Sequence, residues 1–287
     1  MGSSEVLSEL FDIRDKVALV TGGASGLGLA FASVLAECGA TVYVADVDEP
    51  SLSQAVAGLP GASGIVLDVS DAAQVEEVTS EIVAGQGHLD IVFANAGVAR
   101  GTPPLVESGL IDTFSWEDYT RLVDVNLHGV VHTVRAAARH MKRQRSGSII
   151  ATASTAGLRN DPFVPYSYAI AKAGVVNFVR QAAHDLARWK VRVNAIAPGP
   201  FKTNLGKNRA AGSSAGSSAG SEPSPVNASA EDRWNAVIPL GRMGDPSEIR
   251  GLALLLASDA SSFMTGGVYP IDGGALLMGP PLPLPGE

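Results

Sequence analysis

The chain has 287 residues, 46% of them hydrophobic and 17% charged, so it can bury a large core, and acidic side chains outnumber basic ones for a formal charge of −8. With a pI near 5.1 it carries no electrostatic footprint for nucleic acid or anionic lipid, which leaves a small molecule as the expected partner. Cys38 is the only cysteine, which excludes an intrachain disulfide or a thiolate metal cluster and makes a cytoplasmic setting the expectation.

The first residues, Met1 to Lys16, lack the basic start and apolar centre of a signal peptide, and Val6 breaks the myristoylation pattern. The most apolar stretch, Leu252 to Ala257, falls far short of the roughly 20 residues that span a bilayer, so no membrane segment is expected.

The first predicted strand, Val17 to Thr21, runs directly into Thr21-Gly22-Gly23-Ala24-Ser25-Gly26-Leu27-Gly28 and a helical run from Leu27 to Cys38. Strand, glycine turn and helix start together suit a phosphate. Glycine permits positive φ and close backbone approach, and the helix aims free N–H groups at the anion. The second strand, Thr41 to Ala45, ends in Asp46 about 20 residues past the glycines, where a carboxylate can hold both ribose hydroxyls and repel a 2′-phosphate. Ser25 supplies no compensating positive charge, so NAD is preferred over NADP. The competing reading of Asp46 is a turn residue beside Asp48, Glu49 and Pro50.

A third strand, Ile65 to Leu67, leads to Asp68-Val69 and a helix from Ala72 to Ala84; a fourth, Ile91 to Ala94, leads to Asn95-Ala96-Gly97. Both ends can line the adenosine at the carboxyl edge of a sheet, although Asp68 could cap a helix and Asn95 could take a turn. A long helix predicted from Phe114 to Arg139 holds Asn126. A fifth strand from Ser148 to Ala151 closes at Ser154, a sixth spans Val191 to Ile196, and between them a helix is predicted from Tyr168 to Trp189. The alternation of strand and helix predicts an α/β protein, a doubly wound parallel sheet with helices on both faces, as one domain over residues 1–287. Residues 206–231 are rich in Gly, Ser and Pro and read as an insertion, either a surface loop or part of a substrate lid. Helix resumes near Glu231. The Pro-rich residues 278–287 read as a tail or an arm on a neighbouring subunit.

Tyr168 and Lys172 are four apart on a helix and so share a face. A close ammonium and a positive nicotinamide ring would both favour the phenolate, which can then move a hydroxyl proton. Ser154 can hydrogen-bond the substrate oxygen, and Asn126 can hold a water behind Lys172. Taken singly, each of the four could be an ordinary structural polar group. His128 and His132 share a face, but no third ligand accompanies them, so no metal is expected. Trp234 borders the insertion and is a candidate for touching substrate.

These motifs make the chain resemble the short-chain dehydrogenase/reductase family over nearly its whole length. TGGASGLG is similar to that family's cofactor loop, NAG to its fourth-strand motif and YAIAK to its Tyr-x-x-x-Lys motif, while Asn126 and Ser154 match the other members of its catalytic tetrad. The resemblance implies cofactor contacts from Gly22, Ser25, Gly26, Leu27 and Gly28, from Asp46 and Val47, from Asp68 and Val69, and from Asn95, Ala96 and Gly97. Tyr168 and Lys172 join that set. Asn194 to Gly199 resembles the motif after the sixth strand, which implies that Pro198 and Gly199 border the cofactor and that Phe201 and Thr203 contact its carboxamide. Ile271-Asp272-Gly273-Gly274 is similar to the family's usual ending.

The implied activity is NAD(H)-dependent interconversion of a secondary alcohol and a ketone, with a small-molecule substrate and a homodimer or homotetramer built on the helices of Asn126 and Tyr168. A non-catalytic NAD(H)-sensing regulator is the alternative, but it would be expected to break the tetrad. An epimerase or dehydratase would need a larger C-terminal domain. The stretch from Ser154 to Tyr168 is one residue longer than the family's common spacing, which makes Thr155 a competitor for the serine's role. Tyr166 is no rival base, because Ile170 stands four residues after it.

Overall fold

The computed structural model describes residue 6, residues 9–203 and residues 230–277. Its strands are β1 (Val17–Thr21), β2 (Thr41–Asp46), β3 (Ala62–Val66), β4 (Ile91–Ala94), β5 (Gly147–Thr152), β6 (Val191–Pro198) and β7 (Val268–Ile271). Its helices are α1 (Gly26–Glu37), α2 (Glu49–Ala57), α3 (Ala72–Gln86), α4 (Trp116–Val123), α5 (Gly129–Gln144), α6 (Tyr166–Leu186), α7 (Ala230–Asn235) and α8 (Arg250–Ala257).

All seven strands join one parallel sheet in the order β3-β2-β1-β4-β5-β6-β7, the expected doubly wound α/β architecture. The central strands are apolar on both faces because helices cover both. On one side α1, α2 and α8 bury Phe31, Leu35, Leu52 and Leu256, and Phe31 stacks on Phe93 of β4 at 4.7 Å. On the other, α3, α5 and α6 bury Ile82, Val134, Met141 and Val179. β1 pairs with β2 on one flank and β4 on the other, so the chain reverses its winding direction beside β1, and the crevice opens at the carboxyl ends of β1 and β4.

Several elements depart from the expected ones. β3 starts three residues earlier than expected and ends one earlier; it is an outer strand pairing only with β2, in the register Val42 to Ala62, and its apolar residues do not all face a core. Asp48, Glu49 and Pro50 form a helix start: the Asp48 carboxylate accepts the Ser51 N–H at 3.2 Å and proline occupies the first turn. β7 is short and contains Pro270, which an outer strand tolerates and which weakens its sequence signal. The single long helix expected from Phe114 begins at Trp116, with Ser115 as its cap, and is interrupted by a π-turn over Asp124–His128. α7 supplies the helix expected near Glu231. The rest of the Gly/Ser-rich insertion, from residue 206 to residue 229, and the tail 278–287 lie outside the described residues. Among the described residues no helix is long and apolar enough to cross a membrane.

Candidate active site

The glycine loop leaves β1 and enters α1 at the reversal point of the sheet. Gly22 and Gly26 have φ of +63° and +54°, a region that a side chain rarely enters. A Cβ on Gly28 would stand 2.0 Å from the Gly22 carbonyl oxygen, and one on Gly22 would stand 2.6 Å from Ala96 Cα. The loop is thus a cradle that side chains would fill, and with the first-turn N–H groups of α1 it fits a pyrophosphate.

Asp46 ends β2 facing this loop. One carboxylate oxygen accepts the Ala24 N–H at 3.1 Å and the other accepts the Asp48 N–H at 3.2 Å. Each oxygen keeps a further acceptor site, so the position suits a ribose diol. Asn95 fastens the frame: its amide nitrogen donates to the carbonyls of Thr21 and Gly22, both at 3.1 Å, and its side-chain oxygen accepts the Thr152 hydroxyl at 3.0 Å. Its role is to tie β1, β4 and β5 together at the crevice floor, with no amide group left pointing outward by choice of turn. Thr21 completes the knot, its hydroxyl oxygen accepting the N–H groups of Asn95 and Ala96.

Ser154 follows β5 and begins a short 3-10 turn, Thr155–Gly157. Its Oγ accepts the Ala156 N–H at 3.2 Å, and its hydroxyl lies near enough to the Tyr168 phenol to favour the ionised form. Ser154, the cap of this turn, is the one whose hydroxyl acts on Tyr168; Thr155 is buried in the turn itself. Gly157 lets that turn lie against α6, since a Cβ there would stand 2.5 Å from the Lys172 backbone.

Lys172 is buried, and its Nζ donates to the Thr152 carbonyl at 2.7 Å. Desolvation lowers its pKa to about 8. Its Nζ stands 5.9 Å from the centre of the Tyr168 ring. Desolvation pushes the Tyr168 phenol above its ordinary value; the Ser154 hydroxyl opposes this, and the negative charge of Asp161 adds to it. The expected Lys172 ammonium is thus present, but in the protein alone it is Ser154 that favours the phenolate.

Asn126 sits in the π-turn, 1% exposed. Its side-chain oxygen accepts the Val98 N–H at 2.8 Å and its amide nitrogen donates to the Val98 carbonyl at 2.9 Å. This bidentate contact fixes the side chain to Val98 and leaves one amide N–H and one oxygen lone pair for a further partner.

The remaining expected residues are arranged around this centre. Asp68 is exposed and its carboxylate accepts the N–H and hydroxyl of Ser70 at 2.9 and 2.7 Å, so it forms a turn, while Asp71 caps α3. Val69 is buried and its carbonyl meets His132 Nδ1 at 2.9 Å; Val47 is 63% exposed at the end of β2. Thr203 lies beside the loop, 3.4 Å from where a Gly26 Cβ would be. Gly199 donates its N–H to the Ile271 carbonyl at 2.9 Å, just past Pro198. Phe201 is 8% exposed and packed into the core, so only its backbone can meet a ligand. Tyr166 packs on Phe114, with ring centres 6.0 Å apart. His128 pairs with Asp124, and no group of three potential metal ligands occurs among the described residues.

Thr152 and Val98 are structural partners that no motif pointed to, because their contribution comes from backbone geometry and sheet adjacency. Asp161 was detectable only as a lone acid before the apolar Phe163-Val164-Pro165. Trp234 meets Phe163 edge to face, with ring centres 4.8 Å apart, which joins α7 to that same stretch.

Residues 22–275 match the family described as enoyl-(acyl carrier protein) reductase. The chain is 35% identical over 269 residues to the 3-oxoacyl-[acyl-carrier-protein] reductase FabG of Thermotoga maritima, covering 92% of this chain and 99% of that one. It is 34% identical over 291 residues to a cyclohexanol dehydrogenase of Rhodococcus sp., covering 93% and 98%. A solved short-chain type dehydrogenase/reductase from Mycobacterium marinum superimposes with a TM-score of 0.80 at 35% identity, over 94% of this chain and 98% of that one.

Proposed function

The chain belongs to the short-chain dehydrogenase/reductase family, a family of oxidoreductases, and from that premise we propose that it interconverts a secondary alcohol and a ketone with NAD(H). The observation that carries this reading is the buried Lys172, fastened to the Thr152 carbonyl and 5.9 Å from the Tyr168 ring centre, at the same sheet edge as the glycine cradle. Bound NAD(H) supplies the hydride acceptor or donor.

Ser154, with its oxygen pinned by the Ala156 N–H, orients the substrate oxygen beside the Tyr168 phenol. Tyr168 takes the carbinol proton in oxidation and returns it to the carbonyl oxygen in reduction. Lys172, charged below about pH 8 and 5.9 Å from the Tyr168 ring centre, is placed to pass the proton on from the phenol, while Ser154 favours the phenolate. Gly22, Ser25, Gly26, Leu27 and Gly28 hold the pyrophosphate, Asp46 and Val47 the adenosine ribose, Asp68, Val69, Ala96 and Gly97 the rest of the adenosine, and Pro198, Gly199, Thr203 and the Phe201 backbone the carboxamide end. The Asp46 carboxylate repels a 2′-phosphate, which favours NAD over NADP. Relatives named as an alcohol dehydrogenase and as an oxoacyl reductase correspond to the two directions of one such reaction.

We further infer that residues 1–287 act as a single nucleotide-binding unit and that copies associate through the helical region around Asn126 and Tyr168, where Trp116 and Ile170 present exposed apolar surface. The test of the reaction is a panel of secondary alcohols assayed with NAD and with NADP for reduced cofactor. Turnover of at least one alcohol, faster with NAD, is expected; reduction of neither cofactor by any alcohol or sterol in the panel would overturn the reading.

A further inference from the structure

Thr152 is the last residue of β5, two before Ser154, and it is buried. The register of β4 on β5 sets Ala94 opposite Ala151, so the next position brings Asn95 beside Thr152 at the crevice edge. There the Thr152 hydroxyl donates to the Asn95 side-chain oxygen at 3.0 Å. The Asn95 amide nitrogen donates to the carbonyls of Thr21 and Gly22, both at 3.1 Å, which uses both of its N–H groups. The backbone carbonyl of the same Thr152 accepts the buried Lys172 Nζ at 2.7 Å. An unbroken line of contacts therefore runs from the Gly22 carbonyl in the nucleotide loop, through Asn95 and Thr152, to the Lys172 ammonium. Threonine is branched at Cβ and stiff at χ1, so its hydroxyl and its backbone move together.

We propose that Thr152 is a positioning residue that couples the two halves of the site: its hydroxyl holds Asn95, and through it the nucleotide loop, while its carbonyl holds Lys172. This rests on the nicotinamide-dinucleotide reading above. Thr152 acts through Asn95 and Lys172, and displacement of either end of the line is felt at the other. Removing the hydroxyl leaves the Asn95 oxygen without its donor, because the amide cannot turn over without facing its oxygen to the carbonyls of Thr21 and Gly22. Valine in this position keeps the branched shape and the carbonyl; serine keeps the hydroxyl and loses the methyl.

The experiment uses the full-length protein and its Thr152→Val, Thr152→Ser and Thr152→Ala variants. It measures NADH affinity by fluorescence titration, kcat at saturating NAD with the best alcohol, and the unfolding midpoint without cofactor. Thr152→Val is expected to weaken NADH binding by about tenfold, the scale of one buried hydrogen-bond partner lost, and to lower kcat by about tenfold through the displaced lysine. Thr152→Ser stays within about twofold of wild type in both, since the hydrogen bond is retained. Thr152→Ala behaves as Thr152→Val does. Serine and alanine lack the same methyl group, so their comparison isolates the hydroxyl whatever valine does to the packing. Variants with a lower unfolding midpoint but unchanged NADH affinity and kcat overturn the assignment, and so does a loss confined to affinity alone or to kcat alone. A serine variant as impaired as the alanine variant overturns it as well. Each of these leaves the cofactor reading standing, whereas a wild type that binds no NADH removes that reading and this assignment together.

Discussion

The nucleotide side and the substrate side of the crevice share one sheet edge but are built in opposite ways. On the nucleotide side, Thr21 bonds to Asn95 and Ala24 to Asp46, and Gly22 and Gly28 lie against neighbouring backbone with no room for a Cβ. On the substrate side, the 158–165 stretch holds a buried Arg159 Nε without an acceptor among the described residues, and its tie to α7 is an aromatic contact. The first side is held by its own hydrogen bonds; the second is held more loosely, chiefly by packing.

The largest expected effect breaks the nucleotide side. Gly28→Val places a branched side chain where even a Cβ stands 2.0 Å from the Gly22 oxygen and 2.6 Å from the Asn95 amide nitrogen. Overpacking against backbone costs about 3 kcal/mol or more, a loss of about a hundredfold or greater in NADH affinity by fluorescence titration. Unchanged affinity would mean that the cradle is not as close-packed as the distances require.

Lys172 lies where the two sides meet, and its burial makes a pH prediction. Its pKa falls from 10.5 to about 8, so between those values the unfolded chain binds a proton that the folded chain does not, and stability from this group rises with pH. The cost of burying the ammonium is therefore full below about pH 8 and gone above about pH 10.5. Lys172→Met removes that dependence. Its stability relative to wild type, measured by urea unfolding, should fall by about 3 kcal/mol from pH 7 to pH 10.5. A pH-independent difference would mean that Lys172 titrates normally.

The smallest effect sharpens the cofactor assignment. Asp46→Ala removes the carboxylate while leaving the loop backbone in place, and the preference for NAD over NADP in kcat/KM should fall by about tenfold, the scale of a modest electrostatic contact. An unchanged preference would remove Asp46 from the ribose.

The same contrast explains what was readable in the sequence. The glycine loop, Asp46 and the Tyr168–Lys172 pair were legible because each depends on local spacing: a strand end, a positive φ, one helical turn. Strands β1, β4, β5 and β6 were legible because burial on both faces makes them continuous apolar runs, whereas β3 and β7 lie at the sheet margins and lack that signal. The π-turn at Asn126 was hidden, since α-helical periodicity hardly changes over one inserted residue, and so was the commitment of its side chain to Val98, 28 residues away. Phe201 matched a motif, yet only the tertiary packing against Gly244 reveals that its ring belongs to the core. Ser154 and Thr155 could not be separated by counting residues; of the two, only Ser154 acts on the Tyr168 phenol.

The central claim is that Tyr168 moves the proton, and Tyr168→Phe tests it most directly because the ring, its packing and the cofactor cradle are retained while the hydroxyl is lost. Measured together, NADH affinity by fluorescence titration and kcat with the best alcohol of the panel should separate: affinity within about threefold of wild type, and kcat down by about a thousandfold, at the scale of general acid–base catalysis. A Tyr168→Phe variant that keeps a substantial fraction of wild-type kcat would contradict the account.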